Sequence, residues 1–124
     1  LDDMIGDGLA IDLIKCDAEG MEALVLEGAR ELINRDRPIL YLEDDRPALT
    51  PLLYDKIRGF GYQVWWHPVP LFRADNLAGV SENIFPNIYS FNLICAHPSK
   101  TLHVEGLQKL DSLEMHPLLK NAAP

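Results

Sequence analysis

Lys15, Asp17, Glu19 and Glu22 fall within eight residues, directly behind an apolar run and directly ahead of helical periodicity. Carboxylates and a lysine at the end of a strand can accept protons, orient hydroxyl groups or hold a hard cation. In an open α/β sheet, ligands bind where strands end and helices begin. Loops held by rigid elements carry much of a protein's chemistry. Burying such charges unpaired is costly, so they belong at the sheet rim, either as a site or as a solvated helix start. A second acidic cluster, Glu43, Asp44 and Asp45, closes the next apolar run; solvated loop charges are the bland reading of Asp44 and Asp45. Lys15 reads equally well as a partner that organises the turn. Glu22 lies on the first helical turn, where negative charge favours the helix dipole. Gly20 permits close backbone approach at the turn.

The elements that must position these groups alternate between strand and helix. Residues 9–16 form a short apolar run bounded by charges, the pattern of a strand buried on both faces. Met21, Leu24, Val25, Gly28, Ala29, Leu32 and Ile33 then recur at helical spacing, with Glu31 and Arg35 as an i, i+4 pair on the outer face. Pro38 ends that segment and residues 39–42 make a second buried strand. Thr50-Pro51 is a helix start, an N-cap hydroxyl followed by proline at the first helical position. Leu53, Ile57 and Phe60 form its buried stripe, and Gly59 and Gly61 stop it. Residues 62–66 form a third strand, in which Trp65 and Trp66 face opposite ways and at least one is core. Residues 67–87 lack periodicity and read as a long functional loop. Residues 88–96 read as the last strand, entering as an antiparallel hairpin partner. The tail is expected to hold one short helix (104–113) and to fray after Pro117. Such alternation implies a parallel sheet with right-handed crossovers. No G-x-G-x-x-G turn occurs anywhere.

The chain has the length of a single domain, with enough apolar residues for a real core. Its net charge of -8 argues against nucleic acid and against an anionic membrane surface. No run is long or apolar enough to span a bilayer. Two cysteines make no disulfide framework and are expected to stay reduced in the cytoplasm. The four histidines are too scattered to suggest a metal set, and no serine sits in a nucleophile elbow. The chain begins with Leu1 rather than Met, which suggests a cut from something longer.

Asp12-Leu13-Ile14-Lys15-Cys16-Asp17-Ala18-Glu19-Gly20-Met21-Glu22, followed by Leu26-Glu27-Gly28-Ala29, resembles the signature of the FkbM family of S-adenosylmethionine-dependent methyltransferases. That signature runs roughly D-x-x-K-x-D-x-E-G-x-E, then L-x-G-A. Leu1-Asp2-Asp3, Arg37-Pro38 through Glu43, and Asn92-Leu93 with Pro98 resemble its surroundings, so the likeness covers about residues 1–98. It implies an α/β fold, the C-terminal half of a Rossmann-like class I methyltransferase sheet with strand order 4-5-7-6 and an antiparallel last strand. Residues 1–98 would be that half and residues 99–124 a tail. The family's glycine-rich turn and ribose-binding acid lie on strands 1 and 2, which are absent here. The S-adenosylmethionine site is therefore expected to be incomplete and the chain alone inactive. Strand 4 would carry an open apolar edge, covered by an N-terminal half or by a second copy that dimerises or swaps through it. Strands 4 and 7 lie two places apart, about 10 Å at ~4.8 Å per strand, so Cys16 and Cys95 are expected as free thiols.

What the resemblance implies for chemistry is methyl transfer to an acceptor hydroxyl on a sugar, glycan or natural product. Asp17 takes the leading role, as proton acceptor or orienting group nearest the methyl, with Glu19 beside it and Lys15 behind; Asp17 and Gly20 would also line the cofactor. Glu43 would neighbour Asp17 across the sheet, so Mg²⁺ held by the two strand ends, as in catechol-type O-methyltransferases, is the alternative within the same class. Glu43, Phe72, Asn76 and Asn83 are the expected acceptor contacts. A different class of reading is a non-catalytic half-domain that pairs with a partner chain.

Overall fold

The computed structural model describes residues 1–6, 8–111 and 116–120. Along the chain run β1 (Leu13–Cys16), α1 (Glu22–Glu27), α2 (Arg30–Asp36), β2 (Ile39–Glu43), α3 (Thr50–Gly59), β3 (Gln63–Pro70), β4 (Tyr89–Ala96), β5 (Lys109–Leu110) and α4 (Pro117–Lys120). The five strands form one mixed sheet in the order β1-β2-β4-β3-β5. β1 and β2 are parallel; every later pairing is antiparallel. The first four strands thus stand in the expected 4-5-7-6 order, consistent with part of a Rossmann-like methyltransferase sheet. β5 adds a strand beyond them. No helix among the described residues is long and apolar enough to cross a membrane.

One face of the sheet carries the core. Leu40, Leu42, Val64, Trp66, Leu93, Cys95 and Leu110 alternate onto it and pack against Leu26, Ala29, Ile33, Leu53, Tyr54 and Ile57 from the helices. Tyr62 closes the lower end, its hydroxyl donating to the Pro38 carbonyl at 2.8 Å. Both cysteines are buried free thiols, as the sheet order requires.

Several expectations are corrected. β1 begins only at Leu13, and Leu9 and Leu13 are exposed rather than buried on both faces, because among the described residues no strand lies beyond β1. The helical run after Gly20 is two helices. Asp2, about thirty residues away, accepts hydrogen bonds from the Glu31 and Leu32 N–H groups at 2.9 and 3.0 Å. It thereby supplies the N-terminal cap that Ala29 lacks. Met21 and Leu24 lie on the surface, while Leu26, Leu32 and Ile33 are buried. Arg35 binds the Asp36 carboxylate and the Leu9 carbonyl. Thr50 is the first helical residue rather than the cap, and its hydroxyl turns to Asp44 instead.

β3 runs four residues past Trp66, through two prolines. The Trp66 N–H points away from β4 to the Gln108 carbonyl, so Pro68 and Pro70, two and four residues on, place their missing N–H groups along that same free side. The tail contributes β5 where a helix over 104–113 was expected; residues 104–111 contain no helix, and Ser112 and Leu113 lie outside the described residues. Pro117–Lys120, where fraying was expected to begin, form the short α4, and residues 121–124 lie outside the described residues.

Candidate functional site

Register brings the acids together. Cys16 pairs with Leu42, so Asp17 stands beside Glu43; Glu43 pairs with Asn92, and Asn92 with His67. Side chains opposite one another on paired strands share a face, which gives a polar row across four strands at the carboxyl end of the parallel pair. His67 is held there by Tyr41, whose hydroxyl lies 3.1 Å from its Nδ1. The turn after β1 is tight: Glu19 and Gly20 adopt φ of 54° and 96°. Glu22, buried at 6% exposure, clasps it by accepting from the N–H groups of Ala18 at 2.8 Å and Gly20 at 3.2 Å. Gly20 is required locally, since a Cβ there would lie 2.8 Å from Arg46 Cδ and 2.9 Å from Leu49 Cδ1.

The electrostatics split the acidic pair. Lys15 Nζ sits 3.1 Å from Asp17 Oδ2, and this bond, with a second from Glu43, holds Asp17 below the usual carboxylate range. Burial, then the hydrogen bond and charge of Asp17, and then the charges of Asp45 and Glu19 push Glu43 up to about 7. Near neutrality the two carboxyl groups therefore share a proton that resides on Glu43, leaving Asp17 an ionised acceptor. Glu19 reaches the other way and forms an ion pair with Arg46, which also lies 3.8 Å from Asp45. One carboxylate oxygen each from Asp17, Glu19 and Glu43 lies within 4.8 Å of the others.

Lys15, Asp17, Glu19, Gly20 and Glu43 are thus brought to one place. Phe72, Asn76 and Asn83 are not part of it. They belong to the connector 71–88, which the β3–β4 hairpin carries beyond the level of Glu43. Asn76 spends its amide on the Arg73 and Val80 carbonyls and accepts from the Val80 N–H; Asn83 accepts from the Phe85 N–H. Arg46 and Asn92 were not singled out as site members, although both border the acids. Asp44 is buried rather than solvated, at 4% exposure. Burial raises its carboxyl to about 6 against the stabilising Thr50 hydroxyl. Period-two parity carries the signal for this: Leu40, Leu42 and Asp44 alternate onto the core face.

Residues 1–64 match the family model of the methyltransferase FkbM domain. The chain belongs to the FkbM methyltransferase family. The match spans β1 through the start of β3 and includes every residue of the acidic tip; it stops short of the segment around Asn92 and Pro98. No curated protein and no solved structure matches the chain. Membership in the FkbM family implies S-adenosylmethionine, and the tip can be tested for fit. The cleft beside it, bounded by Gly20, Glu22, Glu43, Asp44, Arg46 and Leu49, measures about 20 Å³, room for one water. Drug-sized and cofactor-sized ligands occupy about 300–1,000 Å³. Gly20, moreover, is packed against this chain's own Arg46 and Leu49 rather than left open as a cradle. These FkbM residues therefore supply at most one wall of a cofactor site.

Proposed function

We propose that this chain is the C-terminal, acceptor-side part of a methyltransferase domain that O-methylates a hydroxyl on a sugar, glycan or natural product, and that cofactor binding requires polypeptide beyond the residues here. The observation that carries the reading is the Asp17–Glu43 pair, one member ionised by Lys15 and the other protonated near neutrality, at the carboxyl end of two parallel strands. Asp17 accepts the hydrogen bond of an acceptor hydroxyl and takes its proton as that oxygen becomes nucleophilic. Glu43, carrying the shared proton, donates to Asp17 and holds that carboxylate in one orientation. Glu19 and Arg46 neutralise each other at the rim, and Glu22 keeps the turn from collapsing. The connector 71–88, which mixes exposed apolar side chains such as Leu77, Ile84 and Phe85 with amides and charges, stands at the same end of the sheet and is the part of the chain best placed to meet a bulky acceptor.

A Mg²⁺-assisted variant is favoured by one observation, the three carboxylate oxygens within 4.8 Å of one another. Asp17, Glu19 and Glu43 would hold the ion, in competition with Lys15 and Arg46. The acceptor-side reading is tested by calorimetric titration of the 124-residue chain with S-adenosylmethionine, with and without Mg²⁺. No binding is expected; micromolar binding would overturn it. In the protein that carries the whole domain, Asp17→Asn is expected to lower turnover by at least ~10²-fold with little change in cofactor affinity. Unchanged turnover removes Asp17 from the chemistry.

A further inference from the structure

His116 is buried, at 3% exposure, although it lies 72 residues from the backbone group it touches. Its ring meets the edges of Trp66 on β3 and Phe91 on β4, with centroids 4.9 and 5.3 Å away. Nδ1 accepts the Leu118 N–H at 3.0 Å. A ring nitrogen that accepts carries no proton, so the neutral ring must hold its proton on Nε2. Nε2 in turn donates to the Asp44 carbonyl at 2.6 Å. The Asp44 N–H donates to the Phe91 carbonyl at 2.8 Å. The peptide groups on both sides of Asp44, the residue next to Glu43, are therefore fixed, one by β4 and the other by His116.

We infer that His116 is a positioning residue which, in its neutral Nε2–H form only, pins the start of α4 onto the end of β2 and so holds the backbone beneath Glu43. The inference rests on the reading of Asp17 and Glu43 as the site. A second proton on the ring would sit on Nδ1, facing the Leu118 N–H donor, and would place a charge in a buried pocket walled by Trp66 and Phe91. Among the described residues, the charge felt by the ring comes from Asp45 at the end of β2, while the Asp44 carboxyl is turned toward Thr50. Trp66, Phe91 and Leu118 bring none. Burial holds the ring below its ordinary 6.5 against the pull of the Asp44 carbonyl and Asp45. Docking is therefore fully present above 6.5 and is lost as pH falls below it.

The test uses the 124-residue chain with Trp65→Phe, so that emission reports Trp66, together with long-range ¹H–¹⁵N spectra of the His116 ring. The expected results are an Nε2–H tautomer at pH 7.5, a ring titration midpoint below 6.5, and a red shift of Trp66 emission as pH falls through that midpoint. His116→Gln keeps an N–H donor toward Asp44 but does not titrate, so its emission should stay flat from pH 5 to 8. His116→Ala should be red-shifted throughout. An Nδ1–H tautomer, a midpoint at or above 6.5, or a His116→Gln variant that titrates like the parent overturns the inference; the last outcome assigns the transition to the Asp44 carboxyl. The Glu43 side-chain carbon, followed in the same samples, separates the two readings. A Glu43 midpoint near 4.5 sinks the site reading while leaving the His116 latch standing.

Discussion

Replacing Glu43 with Gln probes the site reading through stability as well as chemistry. The Glu43 carboxyl is raised from 4.5 to about 7, so the folded chain keeps a proton that the unfolded chain releases. A raised carboxyl contributes stability that is present below 4.5 and lost progressively as pH rises from there through about 7. At ~1.36 kcal/mol per unit the full loss is roughly 3 kcal/mol, and solvent on the open side of the tip reduces it to roughly 1–2 kcal/mol. Glutamine keeps an N–H donor toward Asp17 and cannot ionise. Denaturant unfolding at half-unit steps from pH 5 to pH 8 should show Glu43→Gln gaining on the parent across that range, by roughly 1–2 kcal/mol at the upper end. The comparison is needed because two other groups titrate in the window. Asp44, raised to about 6, loses stability as pH rises from 3.8, whereas His116, depressed, gains it up to 6.5. Both act equally in parent and variant, so the difference curve isolates Glu43. Parallel curves would refute the shared proton and the role of Glu43 as its carrier; the ionisation of Asp17, held first by Lys15, would stand.

Glu22→Ala leaves the Ala18 and Gly20 N–H groups without their acceptor beneath the turn and should cost about 2–4 kcal/mol in chemical denaturation; a cost under ~0.5 kcal/mol would show that the clasp is not needed. Gly20→Ala forces a Cβ against Arg46 and Leu49 at positive φ, and a loss of about 1–3 kcal/mol, read as a fall in Tm, is expected. Tyr62→Phe removes the bond to the Pro38 carbonyl and should destabilise by about 1–2 kcal/mol; an unchanged midpoint would mean that this carbonyl finds another donor. Cys95, fully buried and pushed far up by burial, should resist alkylation in native buffer and react only on unfolding, measured by mass-resolved iodoacetamide labelling.

What the sequence made legible was local or periodic. Lys15 through Glu22 gave the candidate site, because a strand end and a helix start bracket it with charges. The apolar runs at residues 39–42 and 88–96 gave two of the core strands; their order came from the resemblance to the FkbM family. What it hid depended on contacts distant in sequence. One amphipathic pattern from Met21 to Ile33 contains no break of its own; Asp2 makes the break by capping from thirty residues away. The lack of periodicity from residue 67 argued for a loop, yet β3 runs on to Pro70, and Pro68 and Pro70 are harmless there because their missing N–H groups fall on its unpaired side. β5 is two residues long and its pairing with Val64 and Trp65 leaves no periodic signature. The asparagines of the connector lie outside the acidic tip: Asn76 bonds the Arg73 and Val80 backbone, and Asn83 Oδ1 accepts from the Phe85 N–H.

The end of β2 shows how one pleat divides three acids into three jobs. Glu43 faces the sheet's open side, meets Asp17 and holds a proton near neutrality. Asp44 faces the core, bonds Thr50 at the first turn of α3 and gives its carbonyl to His116. Asp45, past the strand, turns toward Arg46, which holds Glu19 of the neighbouring strand tip. An acidic triplet read as solvent charge is thus a junction joining the site to α3, to the C-terminal segment and to the β1 turn. A one-residue shift of β2 would exchange the faces of Glu43 and Asp44, since side chains alternate strictly along a strand. The shift would set an ionisable group without its Thr50 partner in the site and a second acid against Trp66 and Phe91. The register of Glu43 opposite Asn92 therefore decides which acid meets Asp17 and which meets Thr50. Inserting a single residue between Leu42 and Glu43 should abolish the raised Glu43 titration and the His116 contact together. Loss of only one of them would show that the junction does not act as a unit.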